Sequence, residues 1–164
     1  MFSQMKKTLF FLVVLLSQSL SAAPQDGKLF KDWITRCAPP EEGQQCYMEQ
    51  NIVAGKEKKL RLLTVQVGYF EQKRIANFIL PLGVLLQQGV ALEIDGFKFS
   101  NRTPYTFCNQ AGCSASVELD DKMVSLLKKG RQLTTTIFNP GGEEMAIPVS
   151  LKGFTPAFDS LLSN

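Results

Sequence analysis

Four cysteines and three adjacent acid pairs are the residues of this 164-residue chain whose chemistry depends most on spacing. Cys37 and Cys46 enclose Ala-Pro-Pro-Glu-Glu-Gly-Gln-Gln, and Cys108 and Cys113 enclose Asn-Gln-Ala-Gly. Four thiols allow three pairings, and spacing alone does not choose among them. The local scheme, 37 with 46 and 108 with 113, is favoured because each enclosed segment is turn-forming and returns the chain on itself. A redox-active pair is disfavoured, since neither spacing is Cys-x-x-Cys and no helix start follows the first cysteine of either pair. The spacings also match no zinc ribbon or finger. The acid pairs Glu41-Glu42, Asp120-Asp121 and Glu143-Glu144 would suit glycoside hydrolysis only if two carboxyls faced each other about 5 to 10 Å apart across a cleft. Each pair instead lies in or beside a turn or a helix cap, where solvation and capping account for it.

The chain contains no histidine. That removes Ser-His-Asp and Cys-His nucleophile systems, histidine metal sites and the commonest general base together. No serine stands in a Gly-x-Ser-x-Gly elbow. The expectation is therefore a protein without catalytic residues, cofactor or metal. Lys56-Glu-Lys-Lys59 with Arg61 reads as a solvated hairpin loop rather than a polyanion patch, because it contains an acid. Asn101-Arg-Thr103 matches a glycosylation acceptor only in form.

Two apolar features remain. Trp33, the single tryptophan, lies four residues before Cys37 and reads as a core ring packed against the first disulfide. The run from Leu80 to Asp95 carries apolar residues through a proline and two glycines. It is either a buried crossover between sheets, the favoured reading, or an exposed binding loop presenting Pro81, Gly83, Leu85, Leu86 and Gly89.

The elements that must position these residues are mostly strands. Leu63, Val65, Val67 and Tyr69 alternate with Thr64, Gln66 and Gly68, and Cys113, Ala115, Val117 and Leu119 alternate with Ser114, Ser116 and Glu118. Leu133, Thr135 and Ile137 share one face of a strand. The turn Asn139-Pro-Gly-Gly142 then leads into Met145, Ile147, Val149 and Leu151, which predicts a hairpin. Pro148 cannot donate to a ladder, so its strand lies at an edge or carries a bulge. Phe97 and Phe99 bracket Lys98, and Ile75 to Leu80 is apolar on both faces except at Asn77, as in a central strand or an inter-sheet position. Two short helices are predicted. One runs from the Asp120 cap to Gly130, and the other is capped by Thr155 with Pro156 at its first turn and Phe158, Leu161 and Leu162 on one side. Many short strands with two helices predict an all-β sandwich or barrel.

Lys6 and Lys7 precede an apolar run from Leu9 to Leu16 and then a small polar stretch ending at Ala23. These are the three parts of a secretory signal peptide, and the run is far short of the roughly 20 apolar residues a membrane span needs. The expected organisation is a cleaved leader over 1–23, with the cut after Ser21 or Ala23, and one domain over 24–164. Loss of the leader removes two lysines and no acid, lowering the net charge from +3 to +1. That balance calls for neither nucleic acid nor an anionic membrane. Export also favours oxidised cysteines.

The order Trp33, Cys37, Cys46, then Pro81-x-Gly83 with Gly89 and Ile94-Asp95, then Cys108 with Gly112-Cys113, then Pro148-Val-Ser-Leu-x-Gly-Phe154 and Ala157, resembles the invasion-associated locus B family of bacterial exported proteins. The resemblance spans roughly residues 32–162. Gln87 departs from it, standing where the family's loop is expected to carry proline. The resemblance implies an immunoglobulin-like β-sandwich in the periplasm or at the cell surface of a Gram-negative bacterium. It implies a role in entry into, or association with, host cells, and brings no catalytic residue or cofactor; the expectation is a non-enzymatic protein that supports invasion or envelope integrity through contacts with an envelope or host protein. The rival expectation is a periplasmic carrier using the apolar segment 80–95.

Overall fold

A computed structural model of the chain describes residues 24–39, 45–55, 57 and 60–162. The leader and Glu41-Glu42 lie outside the described residues, as do the three lysines of the 56–59 run. Eleven strands, β1 (Leu29–Phe30), β2 (Trp33–Cys37), β3 (Cys46–Ala54), β4 (Leu60–Phe70), β5 (Lys73–Leu80), β6 (Ala91–Ile94), β7 (Phe97–Lys98), β8 (Tyr105–Asn109), β9 (Gly112–Glu118), β10 (Gln132–Phe138) and β11 (Glu144–Ser150), are joined by two helices, α1 (Asp121–Lys129) and α2 (Phe154–Ser160). They form two antiparallel sheets, ordered β1-β2-β3-β4-β5-β9-β8 and β11-β10-β6-β7. This is the all-β sandwich with two short helices that the alternation implied.

Period-two patterning places the core. Met48, Val65, Val67, Phe78 and Ala115 of the larger sheet are buried in one cluster with Leu92, Ile94, Leu133, Ile147 and Val149 of the smaller. Asn77 breaks the apolar run of β5 because it faces outward, in register with Gln66 and Ser116. Its Oδ1 accepts from the hydroxyls of Ser114 (2.6 Å) and Ser116 (3.0 Å), so a polar row crosses the outer face of the sheet.

One polar residue ties the sheets together. Gln50 of β3 is 8% exposed, and its side-chain amide pairs with the backbone of Ser150 in β11 as another strand would. Gln50 Nε2 donates to Ser150 O (2.9 Å), and Ser150 N–H donates to Gln50 Oε1 (3.0 Å). The Trp33 indole N–H donates to the same carbonyl (2.9 Å). Trp33 is a core ring as expected, in one cluster with Cys46, and it meets Phe154 edge to face at 5.3 Å.

The Asn139 turn joins β10 to β11 in full register, and β11 is an edge strand, one of the two placements its proline allows. Asp120 caps α1, accepting from Met123 N–H at 2.7 Å. Gly130 ends α1 for a packing reason, its φ being −73°. A Cβ there would stand 2.8 Å from Leu126 O and 2.9 Å from Ile94 and Leu151 side-chain carbons. The second helix corrects the expectation. Its N-cap is Gly153, left-handed at φ 88°, and α2 begins at Phe154. Thr155 lies inside the helix and its hydroxyl donates to Lys128 O (2.9 Å), linking α2 to α1. Phe154, Ala157, Phe158 and Leu161 are buried, whereas Leu162 is exposed. The glycine wins because the chain must turn sharply after Leu151 against the Phe30 carbonyl, where a side chain has no room.

Candidate functional site

Both disulfides are local, Cys37–Cys46 and Cys108–Cys113. Each joins residues directly opposite in an antiparallel ladder, β2 against β3 and β9 against β8. The carboxylate pairs are structural where described: Asp120 caps α1, Asp121 pairs with Arg74 at 2.8 Å, and Glu143 accepts from the Asn139 amide at 2.7 Å within its own turn. Among the described residues no group of three or more His, Cys, Asp or Glu is placed to hold a metal ion.

The segment after β5 crosses from the larger sheet to the smaller, as favoured from sequence, yet it is not buried. Leu85 N–H donates to Phe138 O (2.8 Å), which fastens the crossover to the end of β10. Leu86 opens a short 3-10 turn and is 49% exposed, and Leu82 is 62% exposed. Gly89 is buried with its Cα side against the Thr103 carbonyl, and Gly83 lies on the exposed rim. That backbone bond and the packing of Val84 against the core explain how the crossover holds while Leu82 and Leu86 face outward.

An apolar groove of about 210 Å³ opens at this end of the sandwich. Of the five anticipated loop residues, Pro81 and Gly83 line it, whereas Leu85, Leu86 and Gly89 do not. Leu82 and Val84 complete that wall. The opposite wall comes from Leu60 and Leu62 of β4, Ile137 and Phe138 of β10, and Met145 and Ile147 of β11. Leu60 and Met145 are 61% and 42% exposed. Leu60 was hidden in a charged run, and Met145 belonged to an alternation that read as core until the end of the edge strand was seen to overhang. Among the described residues Arg61 is the single charged side chain in the lining. Above the crossover, the Arg102 guanidinium stacks on Phe138 at 4.5 Å.

Other spaces are less suited to an apolar ligand. The void between the sheets beside Trp33 and Phe78 is about 10 Å³, no more than one water requires. A depression of about 510 Å³ lies between β7, residues 99–103 and the start of α1. There Phe97 meets Phe99 edge to face at 5.2 Å, and the Lys122 ammonium covers Phe97 at 4.4 Å. Asn101 is on its margin. Burial raises the hydroxyl pKa of Tyr105 to about 12, and raises those of Tyr47 and Tyr69.

These features define a disulfide-stapled, two-sheet antiparallel sandwich with an apolar groove at one end. The chain belongs to the family of the Invasion associated locus B (IalB) protein, whose family model matches residues 33–162. It is 31% identical over 135 residues to an Invasion protein B homolog of Brucella abortus, a match covering 80% of this chain and 76% of the relative. It is 26% identical over 134 residues to Invasion protein B of Bartonella bacilliformis, covering 80% and 72%. The crystal structure of invasion associated protein B from Bartonella henselae shares the fold, with a TM-score of 0.72 at 23% identity over 83% of this chain and 94% of that chain. None of these relatives is named for an enzymatic activity. Among the described residues no helix is long and apolar enough to cross a membrane.

Proposed function

We propose that this chain is an exported, non-enzymatic protein that works outside the cytoplasm through protein contacts, supporting host-cell invasion or envelope integrity. The observation that carries this reading is family membership across residues 33–162, with relatives named invasion proteins. A histidine-free sequence and capped, turn-bound acids support it. Crosslinking the purified protein to host-cell and envelope extracts tests it: reproducible enrichment of one protein, lost when surface residues are changed, is expected. Repeated failure to enrich any protein overturns the reading. The same preparation, recovered from the periplasm, is expected to begin at Ala22 or Pro24 by N-terminal mass spectrometry. An intact Met1 would refute export through a cleaved leader.

A second reading, a carrier of a small apolar molecule, is favoured by the groove, because residues 81–84 form one of its walls. Filling it with Val84→Trp is expected to abolish uptake of an apolar fluorescent probe while the circular dichroism spectrum is kept. Unchanged uptake removes this reading.

A further inference from the structure

We infer that the groove between the crossover and the ends of β4, β10 and β11 is a site for an amphiphilic monoanion, a medium-length hydrocarbon chain ending in a carboxylate. This rests on the carrier reading and names its ligand class. The walls dictate the tail: Leu60, Leu82, Val84, Ile137 and Met145 present carbon surface around a concave space, and several are left facing water. Covering such surface is favourable in proportion to its area. The groove of about 210 Å³ has room for a chain of several carbons rather than for a single small group.

The head group follows from charge. Among the described residues Arg61 is the one charged side chain in the lining, and it makes no ion pair with a carboxylate. One of its N–H groups donates to the Ala111 carbonyl, which holds the guanidinium at this end of the sandwich. A guanidinium has five donors in a planar fork suited to a carboxylate, so most of its capacity is unused. Asn139, also in the lining, has its amide committed to Glu143 and supplies no competing charge. A groove with carbon walls and a guanidinium with donors to spare favours an apolar chain with a negative end over a neutral alcohol.

The test titrates the purified, oxidised protein with octanoate, octanol and acetate, followed by backbone amide NMR. Octanoate is expected to shift Leu60, Leu82, Val84 and Met145 at one-to-one stoichiometry, to bind at least fivefold more tightly than octanol, and to leave acetate without effect. Arg61→Gln is expected to bring octanoate down to the affinity of octanol while octanol is unchanged. If octanoate and octanol bind the groove equally, or Arg61→Gln leaves the preference intact, the anionic head is refuted and the apolar carrier reading stands. If neither ligand shifts the groove residues, both fall. Shifts confined to the depression at Phe97 and Lys122 would also overturn the assignment.

Discussion

Thr135 sits in the centre of β10 with no exposed surface and no hydrogen-bond partner for its hydroxyl. An unpaired buried hydroxyl costs about 1 to 3 kcal/mol, so Thr135→Val, which keeps the shape and removes the polar atom, is expected to stabilise the protein by about 1 kcal/mol. A urea midpoint that falls would contradict this. The Tyr105 hydroxyl is likewise buried without a partner, and burial lifts its pKa to about 12 from the ordinary 10. The folded state thus holds that proton more tightly than the unfolded chain. Its contribution is complete below pH 10 and is lost as pH rises toward 12. Phenolate absorbance is expected to show a last step near pH 12, accompanied by falling stability, and Tyr105→Phe should abolish that step and lessen the fall. The alternation placed Thr135 on the apolar face correctly, but no pattern in the chain disclosed that its hydroxyl lacks a partner. Hydrogen bonding depends on which atoms come within about 3 Å after folding.

At the level of elements, the hairpins were the most legible. Turn chemistry at Asn139-Pro-Gly-Gly and strict alternation on both sides are local signals, and β10 and β11 pair in the register they specify. The end of α2 nearest the sheets was not legible. Thr-Pro is a good local start, yet tertiary packing moved the cap to Gly153, whose left-handed backbone lies against Phe30 O. Gly153→Ala is expected to destabilise by more than about 3 kcal/mol, because strain and overlap act together. Thr155→Ala, by contrast, should cost only about 1 kcal/mol through its lost bond to Lys128 O. The reverse order in thermal melts would restore Thr155 as the cap. Gln50 links β3 to β11 a hundred residues away, and Gln50→Leu is expected to cost about 2 kcal/mol by leaving the Ser150 N–H unpaired. Equilibrium urea denaturation measures it, and an unchanged midpoint would deny that this amide fastens the two sheets.

For the whole molecule, each disulfide closes a short loop between strands that are already paired. Replacing either pair by serine is expected to cost about 2 to 3 kcal/mol and to leave the sandwich folded. Loss of native circular dichroism on removing Cys108–Cys113 alone would show the staple to be essential. The chain by itself made β4, β5, β9, β10 and β11, the α1 cap and its family legible, because alternation, turns, caps and ordered motifs are carried by neighbouring residues, whereas β2, β3 and β8 were not read from it. Only the tertiary structure decided that the 80–95 run is core at both ends and exposed at Leu82 and Leu86 between them, and that Leu60, Arg61 and Met145 join Pro81 and Gly83 around one groove. Those residues come from segments far apart in the chain, and their proximity arises from the way two twisted sheets stack, which no local pattern encodes.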